Sequence, residues 1–207
     1  EADAALVVIS ATEIWSSAPL LYYPGEIDFT DSVADAFVAG ERLEFAQKDL
    51  ASALDSYRAL ADSRDRAVRA GALGRMARVA RKLDRPKMAL EAYDALAPLG
   101  STMVLGRPAD LVASLERCAV LQEMNEHDRL AREARQFDRR LTSADWRLSA
   151  SQFHFYRGLV DEWLDDTRGE AEDSVATARE VIAAGVLALR KDSQDLGSAS
   201  GRQTFSV

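Results

Sequence analysis

Apolar positions return with a helical period over most of this chain, most plainly in two segments that nearly copy one another. Ser52-Ala53-Leu54-Asp55-Ser56-Tyr57-Arg58-Ala59-Leu60-Ala61 comes back as Met88-Ala89-Leu90-Glu91-Ala92-Tyr93-Asp94-Ala95-Leu96-Ala97, an offset of 36 residues (89 minus 53). In each copy an Ala, an aromatic four residues on and a Leu three further form one face of an amphipathic helix. The small Ala lets a partner helix approach. Between the copies, Leu73, Met76, Ala77, Ala80 and Leu83 make the apolar face of another helix, and Pro86 opens the next, where its missing N–H costs nothing. Ahead of the first copy, Asp31 or Ser32 suits an N-cap, and Phe37, Leu43 and Phe45 carry a helix to a turn around Gln47-Lys48-Asp49.

The same alternation of helix and turn continues downstream. Pro108 opens a helix with Leu111, Val112, Leu115, Cys118 and Leu121 on one face. After Asn125-Glu126-His127-Asp128 another follows, carrying Leu130, Ala134, Phe137 and Leu141. A fourth pair runs through Trp146, Phe153, Tyr156, Leu159 and Trp163, breaks near Thr167-Arg168-Gly169, and returns through Val175, Ala178, Val181, Ile182 and Leu189. Its aromatic density suits a capping unit, and a repeat stack needs about three or more units to bury a continuous core. Residues 1–30, where Pro19, Pro24 and Gly25 interrupt Leu20-Leu21-Tyr22-Tyr23, read as an irregular lead-in packing on the stack. The pattern predicts an all-α fold, a stack of antiparallel helical hairpins over 31–191 with about four hairpins, and a polar tail or linker over 192–207.

Composition narrows the function more than the fold. The excess of 34 acidic over 26 basic residues, a formal charge of -8, leaves no surplus of cations to displace counterions from a phosphate backbone, so nucleic acid is not an expected partner. The apolar run Val181–Leu189 is about half of the roughly 20 residues a membrane-crossing helix needs. A single cysteine, Cys118, can build neither a disulfide framework nor a multi-cysteine zinc site. The start at Glu1 rather than Met reads as a piece of a longer protein.

The Ala-x-x-x-Tyr helices at 53–57 and 89–93 resemble the second helices of tetratricopeptide repeats, whose period is about 34 residues. The resemblance is best over residues 35–100. It departs from the family where a Trp-x-x-Leu-Gly is usual in the first helix, since Gly40 lies one residue off register and Ala77 takes that place in the next copy. A second resemblance spans most of the chain. Pro-Leu-Leu-Tyr-Tyr-Pro-Gly at 19–25, Gly-Glu-Arg-Leu-Glu-Phe at 40–45, Val-Arg-Ala-Gly-Ala-Leu-Gly-Arg-Met-Ala-Arg at 68–78 and Asp-Trp-Arg-Leu at 145–148 together look like the extracytoplasmic sensor region of bacterial membrane-bound histidine kinases. That resemblance implies signal transduction in a two-component system: a non-catalytic domain, outside the inner membrane, of an anchored parent that a homodimer would suit. A ligand or protein would bind on the concave face. The alternative is a cytoplasmic tetratricopeptide-type adaptor for protein–protein interaction.

The chemical candidates favour binding over catalysis. No nucleophile with a base, phosphate cradle or cofactor motif is present, so no cofactor and no catalytic residue is expected. His127 sits among Glu123, Glu126 and Asp128 but lacks the second nitrogen or sulfur that a metal centre needs. His154, between Phe153 and Phe155, reads as structural or surface. Cys118 reads as a packed thiol, Gly71 and Gly74 as points of close helix approach, and the aromatics Trp146, Phe153, Tyr156 and Trp163 as core. Against this acidic background the stripe Arg75, Arg78, Arg81, Lys82 and Arg85 stands out. In one reading it is a solvated face balanced by Glu91 and Asp94. In the other, the tetratricopeptide resemblance turns Arg78, Arg81 and Lys82 toward the groove, where they would bind the carboxylates of a peptide or small anion.

Overall fold

A computed structural model describes residues 7–9, 14–16, 19–23, 34–164 and 179–191. The chain divides into two compact units, one of residues 28–137 and one of residues 1–27 with 138–207. Helix dominates the described residues, as the periodicity predicts.

The 28–137 unit begins with a 3-10 turn, Ala34–Phe37, that leads into helix α1 (Val38–Glu41) and a π-helical turn over Arg42–Gln47. Helices α2 (Leu50–Ala61), α3 (Arg66–Lys82), α4 (Pro86–Leu96) and α5 (Ala109–Glu123) follow, each packing on the next. Helix α6 (His127–Thr142) continues across the division between the units. The faces read from the sequence are the buried ones: Ala53 and Tyr57 in α2, Ala89, Tyr93 and Leu96 in α4, and Leu111, Val112, Leu115, Cys118 and Leu121 in α5. Burying one such large side chain contributes about 1.5–3 kcal/mol.

Three helix ends in this unit share one device. Lys48, Asp84 and Asn125 all take positive φ, at 57°, 55° and 56°. After α3 the Arg85 N–H donates to the Ala80 carbonyl and the Asp84 N–H to that of Arg81. After α5 the Glu126 N–H donates to the Leu121 carbonyl and the Asn125 N–H to that of Gln122. This double bond pattern satisfies carbonyls that would otherwise be orphaned at a helix end. Lys48 and Asp84 are 36 residues apart (84 minus 48), the offset of the Tyr57 and Tyr93 copies. Helices α2 and α3 start on side-chain caps, Asp49 accepting from the Ser52 N–H and Asp65 from the Ala67 N–H, whereas α4 and α5 have no side-chain cap.

Glycines set two of the close approaches. A Cβ on Gly40 would lie 2.4 Å from the Tyr57 ring, and one on Gly71 would lie 2.5 Å from the Phe37 ring. Gly71 thus permits the close approach expected of it. A Cβ on Gly74 would lie 3.1 Å from a Val104 methyl.

One expectation fails locally. Phe45, assigned to the apolar face of the first helix, is 57% exposed, whereas Glu44 beside it is 3% exposed. The π turn adds a residue to the helical repeat and so rotates the following side chains off the α-helical face.

Between α4 and α5 lies a two-stranded ribbon of β3 (Met103–Val104) and β4 (Arg107–Pro108), antiparallel, with Val104 opposite Arg107. Pro108 is the N-cap residue of α5 rather than its first helical position.

In the other unit, strand β1 (Val7–Ile9) pairs antiparallel with β2 (Ile14–Ser16). Leu20, Leu21 and Tyr22 are buried, and the Tyr23 N–H donates to the Leu148 carbonyl at 2.8 Å. Helix α7 (Ala150–Leu164) buries Phe153, Tyr156, Val160 and Trp163, and Trp146 is also 4% exposed, so this aromatic set is core. Over 179–191 the helix buries Ala183 and Val186 and leaves Val181, Ile182 and Leu189 exposed, so its inward face is not the one expected. The expected break at 167–169, Val175, Ala178 and the 192–207 tail lie outside the described residues.

Candidate functional site

The basic stripe of α3 is held by carboxylates from both neighbouring layers, and the partners are not Glu91 and Asp94. Arg75 is 4% exposed: its guanidinium lies 3.7 Å from the Phe37 ring centroid and pairs with Glu41 at 2.8 Å. Arg78 donates to both oxygens of Glu44, from Nε at 2.9 Å and Nη2 at 2.7 Å, and Lys82 Nζ reaches the same carboxylate at 2.7 Å. The Tyr57 hydroxyl donates a fourth bond to it at 2.9 Å. Burial opposes ionisation of Glu44, yet the bonds from Arg78 and Lys82 outweigh it and hold the carboxyl below its ordinary range. Burial and the Glu44 carboxylate together push the Tyr57 phenol well up. The exposed Phe45 ring covers this group, with Lys82 Nζ 4.6 Å and the Arg78 guanidinium 5.2 Å from its centroid.

On its other side α3 meets α5. Arg81 donates to Glu116 at 2.7 Å and also bonds Glu123. Burial works against its charge, but Glu123 and the Tyr93 hydroxyl outweigh that and raise its pKa. Tyr93 is itself pushed up to about 12, first by burial and then by Glu116. Asp94 pairs instead with Arg117, which also binds Glu133 of α6. Cys118 is fully buried and its thiol is pushed up to about 12, chiefly by burial, so the thiolate a nucleophile needs is disfavoured.

Beside Arg81 lies a cleft of about 240 Å³, bounded by α3, α4, α5 and the β3–β4 ribbon. Arg78, Arg81 and Arg107 bring positive charge to it, Glu116 supplies the one negative charge of its lining, and Val104, Leu105 and Val112 form an apolar wall. Of the three residues singled out from the sequence, Arg78 and Arg81 line this cleft and Lys82 does not. Arg107 was not legible as a site residue. The signal that could have found it is Leu105-Gly106, a two-residue turn between Val104 and Arg107, which closes a ribbon over the neighbouring helices.

His127 is exposed, and among the described residues no group of three or more His, Cys, Asp and Glu is placed to hold a metal. His154 is half-exposed, packs against Tyr22 and Phe153, and has Nδ1 3.6 Å from Glu180. No described helix is long and apolar enough to cross a membrane. No family model, no curated protein and no solved structure matches this chain.

Proposed function

We propose that this chain is a binding and sensing module built from tetratricopeptide-like hairpins, serving as the extracytoplasmic sensor region of a membrane-bound histidine kinase. The repeat reading draws on a constant offset. Phe37 meets Gly71, Glu41 pairs with Arg75 and Glu44 with Arg78, each 34 residues on, and Arg81 pairs with Glu116, 35 residues on. Side chains meeting at one repeat length are what stacking of alternate helices produces. Binding is carried by a single observation, the cleft among α3, α4, α5 and the ribbon, which joins an apolar wall to convergent charged groups as ligand sites do. The kinase context rests on the sequence resemblance alone.

A thermal-shift panel of small anions, amino acids, peptides and apolar metabolites tests the binding reading, because a ligand that prefers the native state raises its melting temperature. One class should give a saturable rise, and a flat panel would overturn it. The sensor setting is tested on the parent chain: apolar helices of about 20 residues on both sides support it, and polar flanks would favour the cytoplasmic adaptor.

A further inference from the structure

We infer that the cleft binds a small monocarboxylate with a short branched or linear aliphatic body, anchored by Arg107. This rests on the binding reading above and adds the ligand's chemistry and the residue that selects it.

Charge pairing separates Arg107 from the other cations of the cleft. Arg78 is bound twice by Glu44, and Arg81 is bound by Glu116 and Glu123. Arg107 has no ion-pair partner among the described residues, although it is only half-exposed. One unmatched guanidinium fits one carboxylate, in the bidentate geometry that a planar fork favours. A dianion such as phosphate would carry a second charge toward Glu116, the acidic residue of the lining.

The ribbon turn gives a second and independent pointer. Leu105 and Gly106 both have positive φ, 49° and 77°, the pattern of a turn in which Asn-Gly or Asp-Gly is favoured. A leucine pays a steric penalty in that region, and Leu105 is also 52% exposed, so neither local geometry nor burial accounts for it. Its place on the cleft wall with Val104 and Val112 does, because there it supplies apolar surface to a bound aliphatic group. Strained residues persist where they serve a site. A volume of about 240 Å³ corresponds to roughly eight waters at liquid density, enough for a C4 to C6 acid.

The test titrates the intact chain with butyrate, isovalerate and hexanoate, with isovaleramide and inorganic phosphate as counterparts, and with a tripeptide ending in leucine, by calorimetry and thermal shift. Isovalerate should bind saturably, and isovaleramide about ten- to a hundredfold more weakly, the loss expected for a charge-assisted pair. Arg107→Gln should cause a similar loss while leaving the melting temperature of the free chain within about 1 °C, since the residue has no ion pair to lose. Leu105→Asn should weaken binding several-fold yet raise the melting temperature of the free chain, because asparagine suits the turn; a merely structural Leu105 would not give those opposite signs. If phosphate or the tripeptide binds and the free acids do not, the monocarboxylate assignment is overturned, and if isovalerate binds equally well to R107Q the Arg107 anchor is overturned; in both cases the binding reading stands. If nothing in this set or the wider panel binds, both fall.

Discussion

The two flanks of α3 handle charge in opposite ways. Toward the π turn, Glu44 has no exposed side-chain surface and gathers Arg78, Lys82 and Tyr57 around it. Toward α5, Arg81 is 27% exposed and spans Glu116 and the half-exposed Glu123 at the rim of a cleft. One stripe of basic residues, spaced as a single helical face, therefore serves two purposes. The first flank converts charge into helix packing, because a carboxylate that is buried must be fully bonded to be tolerated. The second leaves only Glu123 near solvent, where its pairing with Arg81 is weak and can be rearranged.

The largest expected effect comes from breaking the buried flank. Glu44→Gln leaves two cations facing a neutral amide. Removing one partner of a buried ion pair costs about 3–5 kcal/mol, and the partial exposure of Arg78 and Lys82 reduces this to about 2–3 kcal/mol. For a chain of this length the melting temperature should fall by roughly 5–10 °C in a calorimetric scan. Acid should act through the same group. Its folded pKa lies below the ordinary 4.5, so its stabilisation is complete above about pH 5 and is lost as pH falls through the lowered folded value. Melting temperatures measured from pH 7 down to pH 3 should drop for the native chain, and E44Q should flatten that slope.

Volume gives a smaller contrast. Gly71→Ala drives a Cβ into the Phe37 ring and should destabilise by about 1–2 kcal/mol, since overpacking outweighs the gain in helix propensity. Gly74→Ala meets only a Val104 methyl, and Gly158→Ala meets nothing within 4 Å. In urea titrations the Gly158 change should stabilise by about 0.5–1 kcal/mol, with Gly74 between the two. The smallest effect is expected at the open flank, where Glu123→Gln should cost no more than about 0.5 kcal/mol and the difference should vanish in molar salt. A loss there comparable to that of E44Q would erase the distinction between the flanks.

The helical architecture was legible because it is written locally. Ala53 with Tyr57 and Ala89 with Tyr93 announce their faces by spacing alone, and turn residues such as Asn125 suit the positive φ they adopt. The partners of the stripe were not legible. Glu44 lies 34 residues from Arg78 and Glu116 lies 35 from Arg81, so each pair depends on how helices distant in sequence pack together. Phe45 and Glu44 exchanged roles through a π turn, which has no sequence signature as plain as a proline or a cap. The cleft was half visible: Arg78 and Arg81 stood out by periodicity, but Arg107 sits on a ribbon that interrupts the helical pattern, where no period points to it.

The Glu44 carboxylate also fixes alignment along the helix axis. It takes Arg78 and Lys82, four residues apart on α3, together with a hydroxyl from α2. Sliding α3 by one turn, about 5.4 Å, would set Glu44 against Gly74 and Arg78 in one direction, or against Lys82 and the end of the helix in the other. Either slip forfeits a cation at a carboxylate with no exposed surface. The contact therefore works as a pawl, holding α3 in one axial position while the α5 side stays free to adjust.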